Sequence, residues 1–279
     1  ENTYPDALHK EEKAESIPER PENLKEEDND ILPVILIVED NDDIREYIAT
    51  SFSNNYHIMT ATNGKEGIEQ ALKYIPDIII SDIMMPVMDG IELCKLIKED
   101  VRTSHIPVIL LTAKDSIQDK EEGYESGADS YLTKPFSAKL LHSRVHNLLE
   151  SRKKLASLIT NRTKGLKAEQ SQEAIKLSRL DEEFLNRFTA IVEENIDMDK
   201  LDMSFMMDKM NMSHSTLYRK IKGLTGISCN EFIRKIRLKN SLRLLMEESL
   251  YVSEAAYASG FNDLGYFRTC FKEEYGMVP

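Results

Sequence analysis

The chain has 279 residues, of which 41% are hydrophobic and 30% charged, and its net charge is −13. This length predicts two domains, and the composition excludes a disordered or fibrous protein. No apolar run approaches the roughly 18 residues needed to span a bilayer, and the N-terminus lacks a signal-peptide core. The three scattered cysteines match neither a disulfide framework nor a metal spacing, so we expect a reducing, cytoplasmic setting.

Residues 1–32 are strongly acidic and contain three prolines but few apolar side chains. Such a segment cannot bury enough apolar surface to offset the entropy of ordering. We therefore expect a flexible leader or linker here. The chain begins with Glu1 rather than Met, which is consistent with a piece of a longer polypeptide.

Short apolar runs rich in β-branched residues alternate with amphipathic helical patterns in residues 33–150. Strands are expected near 34–38, 56–60, 77–81, 107–111 and 130–132. Continuous apolar runs of this kind are typical of buried parallel strands. The alternation predicts an α/β fold, a doubly wound five-stranded parallel sheet with helices on both faces.

Polar side chains follow these strands at their carboxyl ends, the edge where doubly wound sheets bind ligands. They are Glu39, Asp40, Asp82, Thr112 and Lys134. Three converging carboxylates repel unless a cation lies among them, and hard oxygen ligands favour Mg²⁺. With such an ion, one carboxylate could accept a phosphoryl group whose oxygens the hydroxyl and the ammonium hold.

Four motifs in this region resemble those of response-regulator receiver domains. They are VEDN at 38–41, SDIMMPVMDG at 81–90, LTAK at 111–114 and YLTKPF at 131–136. The resemblance covers essentially all of residues 33–150. A flavodoxin-type module would need a phosphate loop rich in Ser, Thr and Gly, and a haloacid-dehalogenase-like phosphatase would need an Asp-x-Asp motif. The sequence contains neither at the required place.

The resemblance implies a role for each residue of the site. Asp82 would be the phosphoacceptor, and the metal site would consist of Glu39, Asp40, Asp82 and the backbone carbonyl of Met84. Thr112 and Lys134 would hold the phosphoryl group, Thr112 and Tyr131 would act as the switch, and the Lys134–Pro135 bond would be cis.

Residues 151–179 carry eight basic and two acidic side chains. Gly165 interrupts any continuous helical pattern, so we expect a basic linker with some helix. From residue 180 to residue 279 the pattern is helical throughout, with short turns and no strand signal. This predicts a second, all-α domain.

Residues 180–279 resemble the DNA-binding domain of AraC-type transcription factors, which has two helix-turn-helix units joined by a longer helix. The segments that carry the resemblance are MNMSHSTLYRKIKGLTG at 210–226, NEFIRKIRLKNSLRLL at 230–245 and VSEAAYASGFNDLGYFRTCFKEEYG at 252–276. Within residues 214–243, eight basic side chains face a single acidic one, Glu231. Such a local concentration of positive charge is what binding to DNA requires.

Each unit contains one candidate recognition helix with an apolar stripe and a polar face. In the first, Leu217, Ile221 and Leu224 form the stripe. In the second, Tyr266, Phe267 and Phe271 are expected to pack inward. The residues expected to face DNA are Ser215, Tyr218, Arg219, Lys222, Gly265, Arg268 and Thr269.

These patterns predict a phosphorylation-dependent transcription regulator that binds promoter DNA and is not itself an enzyme. The expected partners are a phosphodonor histidine kinase, a second copy of the chain after phosphorylation, and RNA polymerase. The alternative is that the chain is the tail of a hybrid sensor histidine kinase, anchored in the inner membrane, whose kinase region precedes Glu1. These residues contain neither a phosphoacceptor-histidine box nor a Gly-rich ATP-binding motif.

Overall fold

A computed structural model describes residues 32–113, 127–162, 177–198 and 201–279. From Pro33 to Pro279 the chain forms one compact unit. The predicted acidic leader, Lys114 of the third motif and most of the predicted linker lie outside the described residues. No helix in the described ranges is long and apolar enough to cross a membrane.

Five parallel strands form the sheet of the first half of the chain, which we call the α/β half. The strands are β1 (Val34–Val38), β2 (His57–Ala61), β3 (Ile78–Asp82), β4 (Val108–Thr112) and β5 (Ser130–Thr133), in the order β2-β1-β3-β4-β5. Each begins and ends within one residue of its predicted position. The structure confirms the predicted doubly wound sheet.

Helices cover both faces of this sheet. They are α1 (Asp42–Phe52), α2 (Gly64–Tyr74), α3 (Gly90–Glu99) and α4 (Ala138–Arg162). Successive strand residues point to opposite faces, so Leu36 packs with Leu93 of α3 while Ile37 packs with Val145 of α4. Both faces of the central strands are therefore buried, as their continuous apolar sequences require.

Helix α4 extends past residue 150, where the sequence predicted the end of the first domain. It is 25 residues long and ends at Arg162. Ala156 and Ile159, in its last part, are buried, and Ile159 belongs to the core of the second half of the chain. The first part of the predicted linker is thus a continuous helix that contacts both halves.

The second half, which we call the helical half, contains six further helices. They are α5 (Arg179–Glu194), α6 (Met203–Met210), α7 (His214–Thr225), α8 (Cys229–Glu247), α9 (Val252–Ala258) and α10 (Leu264–Tyr275). Two apolar cores lie under them. Helix α8 belongs to both cores, through Ile236 in the first and Leu238 in the second.

Candidate functional sites

Three carboxylates meet at the carboxyl end of the sheet. Glu39 follows β1 and Asp82 ends β3, and these strands are adjacent with Val38 opposite Ser81. One oxygen each of Glu39, Asp40 and Asp82 can be chosen so that all lie within 4.8 Å of one another. Glu39 and Asp82 are buried, whereas Asp40 is exposed and opens the cluster to solvent.

Lys134 lies beside two of these carboxylates. Its Nζ is 2.9 Å from Glu39 Oε2 and 3.0 Å from Asp82 Oδ1. Burial raises the pKa of Glu39, with a further increase from the charge of Asp82, and Lys134 partly offsets both. Burial opposes the charge of Lys134, but its hydrogen bonds to the two carboxylates raise its pKa overall. Lys134 therefore remains a cation at neutral pH.

The cluster suits a hard divalent cation. Its donors are carboxylate oxygens, which Mg²⁺ prefers, and Asp40 keeps one side accessible to water. Met84, whose carbonyl the resemblance assigns to the metal, lies two residues after Asp82 with an exposed side chain. The part of its carbonyl in a metal site stays a prediction.

Gly90 holds the loop after β3 close to Asp82, a role that the motif reading missed. A Cβ atom at this position would lie 2.0 Å from the carbonyl oxygen of Asp82. The amide of Gly90 donates a hydrogen bond of 2.9 Å to the carbonyl of Ile83. Glycine is required here because any side chain would collide with the backbone of the candidate phosphoacceptor.

The two candidate switch residues lie on β4 and β5. Thr112 ends β4, is 1% exposed, and donates a hydrogen bond of 3.2 Å to the carbonyl of Ala113. Tyr131 lies opposite Leu110 and packs, half-buried, against the core next to α3. The Lys134–Pro135 bond is cis, as the resemblance implied.

The helical half contains two helix pairs of similar construction, α6 with α7 and α9 with α10. Helices α7 and α10 each have 12 residues. The side chains of Ser213 and Asp263 cap their N-termini by accepting from the amides of Thr216 and Tyr266, at 3.3 and 2.5 Å. Both helices end at a glycine with positive φ, 74° at Gly226 and 72° at Gly276.

On α10, the residues predicted to contact DNA are exposed. Gly265, Arg268 and Thr269 all face solvent, and Phe267 and Phe271 are buried as expected. The prediction that Tyr266 packs inward is wrong, since 53% of this residue is exposed. The buried stripe consists of residues 267, 270, 271 and 275, and position 266 lies about 100° around the helix from its neighbour.

On α7, the predicted DNA face lies partly against the α/β half. Ser215 is exposed, whereas Tyr218, Arg219 and Lys222 are half-buried. The Arg219 guanidinium donates hydrogen bonds to the carbonyls of Tyr74 and Ile75 at the end of α2. The assignment of these four residues to DNA contact stays a prediction.

Lys220, counted in the sequence among the local basic charges, is buried in a cluster that joins the two halves. Its Nζ is 2.6 Å from Asp181 Oδ1, and the hydroxyl of Ser104 donates to the same oxygen at 2.7 Å. The Phe184 ring lies 4.9 Å from the ammonium. The sequence offered no signal for this cluster, because Ser104 and Asp181 are 77 residues apart.

Burial and pairing act in opposite directions on the Asp181–Lys220 pair. Burial by itself would raise the pKa of Asp181, but Lys220, Ser104 and Ser178 together lower it. Burial lowers the pKa of Lys220, although Asp181 partly compensates. Both groups are charged at neutral pH, and each depends on the other for its charged state.

Comparison with known families agrees with both halves. The family described as response regulator receiver domain matches residues 35–146, and a helix-turn-helix domain family matches residues 206–279. The chain is therefore a two-component response regulator with a receiver domain and an AraC-type DNA-binding domain. This pair of domains indicates a regulator rather than an enzyme.

Individual relatives share different parts of the chain. "Histidine kinase P4" of Formosa agariphila is 40% identical over 245 residues, which are 88% of this chain and 18% of that protein. The "DNA-binding dual master transcriptional regulator RpaA" of Synechocystis is 40% identical over 42% of this chain and 49% of its own length. The chain thus spans less than two thirds of either relative.

One solved structure illustrates the likeness in the receiver domain. A response regulator from Chloroflexus aurantiacus is 36% identical, and the match covers 43% of this chain and 98% of that one with a TM-score of 0.41.

Proposed function

We propose that this chain is a phosphorylation-dependent transcription regulator that accepts a phosphoryl group on Asp82 and binds promoter DNA through both helix-turn-helix units. The observation that carries the proposal is the clustering of Glu39, Asp40 and Asp82 within 4.8 Å. Lys134 forms ion pairs with two of them, at 2.9 and 3.0 Å. A buried site with three carboxylates and one ammonium at this edge of the sheet is suited to phosphoryl transfer.

In the reaction, a carboxylate oxygen of Asp82 attacks the phosphorus of a phosphohistidine or of acetyl phosphate. A P–O bond to Asp82 forms while the P–N or P–O bond to the donor breaks, and the leaving group keeps that electron pair. Lys134 and the Thr112 hydroxyl would contact the oxygens of the bound phosphoryl group. Mg²⁺, held by Glu39, Asp40, Asp82 and the carbonyl of Met84, would supply charge neutralisation.

DNA binding would use the exposed faces of α7 and α10. Two recognition helices on one domain can occupy successive major-groove segments about 34 Å apart. A phosphoryl-dependent pairing of receiver domains would link two DNA-binding domains and raise avidity by about 10² to 10⁴ in favourable geometry. The supporting observations are the exposure of Gly265, Arg268 and Thr269 and the basic charge of residues 214–243. A promoter-bound regulator of this kind would act on RNA polymerase.

The phosphoacceptor assignment is tested by intact-mass measurement after incubation with acetyl phosphate and Mg²⁺. We expect one added phosphoryl group on the wild-type chain and on Asp43→Asn, which removes an exposed carboxylate from α1. We expect none on Asp82→Asn. Full labelling of Asp82→Asn would overturn the assignment.

A second candidate function is supported by the match to a histidine kinase over 88% of the chain. In that case the chain is the output end of a hybrid sensor kinase, and the phosphoryl group on Asp82 comes from the same polypeptide. Sequencing the reading frame upstream of the Glu1 codon decides between the two. A phosphoacceptor-histidine box and an ATP-binding motif in frame would establish the hybrid, and a start codon directly upstream would exclude it.

A further inference from the structure

The first recognition helix, α7, is held by three elements outside the helix-turn-helix units. Arg219 reaches the end of α2, as described above. The loop between α3 and β4 contacts α7 through Ser104, whose hydroxyl is 3.2 Å from Lys220 Nζ. Helix α4 contributes Thr160, which donates a hydrogen bond of 2.6 Å to the carbonyl of Thr225.

The contact with α2 uses the side of α7 on which DNA contacts are predicted. A recognition helix reads DNA by lying in the major groove, with its polar face against base edges and phosphates. Arg219 belongs to that face and donates to the carbonyls of Tyr74 and Ile75 instead. The helix therefore cannot place this face in a groove while α2 remains there.

The Ser104 contact is suited to reversible opening. The Asp181–Lys220 pair is 0% exposed at both residues, and among the described residues Asp181 Oδ2 has no hydrogen-bond partner. Removing a charge pair from water costs free energy that an incomplete set of hydrogen bonds does not fully recover. Separation of Ser104 from the pair would readmit water and return part of that cost.

The second recognition helix is in the opposite situation. Gly265, Arg268 and Thr269 of α10 are exposed in the same structure. The two helix-turn-helix units therefore differ in their access to DNA, although their recognition helices have the same length and similar caps.

We propose that the receiver domain covers the first recognition helix and leaves the second open, so that the unphosphorylated chain contacts one major-groove segment and phosphorylation of Asp82 releases α7 to contact a second. This inference rests on the proposed function. It adds an autoinhibitory contact, formed by Ser104, His105 and the end of α2, and an unequal use of the two units.

Two substitutions on opposite sides of the contact test it. A Cβ atom at Gly223 of α7 would lie 2.7 Å from His105 Cδ2 and 3.0 Å from its Nε2. Gly223→Ala should therefore be compatible with a free α7, because alanine favours helix, but not with the covered one. Ser104→Glu places a second carboxylate against Asp181. Ser53→Glu, at the exposed end of α1, is the control with the same change of charge.

The experiment uses the full chain and a duplex selected from a random library with beryllofluoride-loaded protein. Hydroxyl-radical footprinting should show one protected groove segment for the wild type and Ser53→Glu, and two for Gly223→Ala and Ser104→Glu. Beryllofluoride should extend the wild-type footprint to two segments. The two opened variants should bind at least about tenfold more tightly than the wild type without beryllofluoride. Adding His105→Ala to Gly223→Ala, which removes the obstructing ring, should restore the single segment.

Several results would overturn the inference. They are two protected segments for the unmodified wild type, wild-type footprints for both opened variants, or no extension with beryllofluoride. Solution X-ray scattering, measured without DNA, separates these failures from failure of the proposed function. An increase in the radius of gyration of both opened variants, together with no DNA protection by any chain, would show that the contact opens but does not regulate DNA binding.

Discussion

At the scale of single residues, the chain's charges divide between surface and interior. Lys134 and Lys220 are both paired with carboxylates, but in different surroundings. The side chain of Lys134 is 22% exposed at an open edge of the sheet, whereas that of Lys220 is 0% exposed. Lys134 can therefore exchange its partners for a phosphoryl group, while Lys220 is suited to holding structure together.

Replacing Lys220 should destabilise the protein strongly, because Asp181 would keep a buried charge without a partner. For Lys220→Met we expect a loss of about 3–5 kcal/mol in the free energy of unfolding, measured with urea. Lys239→Met, at an exposed site on α8, should change it by no more than about 0.5 kcal/mol. The double variant Lys220→Met with Asp181→Leu should recover much of the loss. Simple addition of the two single losses would contradict the pairing.

His105 should make stability fall in mild acid. Burial, and then the positive charges of Lys220, Arg152 and Lys98, hold its pKa well below 6.5, and only Asp181 opposes this. Because the unfolded chain takes up this proton first, the contribution is constant above about pH 6.5 and decreases below it by up to about 1.4 kcal/mol per pH unit.

The measurement compares the wild type with His105→Gln at about pH 7.5 and 5.5, where 6.5 is the usual pKa of the unfolded imidazole. Taking the difference in the free energy of unfolding removes the contributions of groups common to both chains. We expect the difference to shift against the wild type at the lower pH. A difference independent of pH would mean that the imidazole is not excluded from water.

At the scale of elements, capping residues set where the recognition helices begin. Asp263→Ala removes the acceptor for the amide of Tyr266, so α10 should lose about 0.5–2 kcal/mol. Asp263→Asn keeps an acceptor at the same place and should lose much less. Urea unfolding of the two variants checks this, and equal losses would show that the charge of Asp263, rather than its hydrogen bond, is what matters.

The elements also show where sequence patterns are informative. The five strands were predicted to within one residue because each is a short apolar run bounded by polar or turn residues. The end of α4 was not predicted, because its polar residues beyond Glu150 resemble a linker. Ala156 and Ile159 become buried there through contact with the helical half, which local periodicity does not contain.

At the scale of the whole molecule, the two halves of the DNA-binding domain should respond differently to the same substitution. Without a phosphoryl mimic, Arg268→Ala should weaken DNA binding by about 1–3 kcal/mol if the side chain contacts a base, while Arg219→Ala should have little effect. With beryllofluoride, both should weaken it. Arg187→Ala removes one positive charge from α5 and serves as the control for net charge.

The measurement is the dissociation constant on one selected duplex at fixed salt, since phosphate contacts depend strongly on ionic strength. Equal effects of Arg219→Ala with and without beryllofluoride would contradict the covering of α7. No effect of either substitution under both conditions would contradict the assignment of α7 and α10 as recognition helices.

The sequence by itself determined the class of the protein and the composition of its sites. Strand ends and motif spacing predicted Glu39, Asp82 and Lys134 at one edge, because parallel strands bring their carboxyl ends together whatever the details of packing. Only the tertiary structure decided that Lys220 pairs with Asp181 and Ser104, and that Arg219 meets the end of α2. These contacts join residues far apart in the chain, and they depend on how two separately predictable domains pack, which neither periodicity nor local spacing encodes.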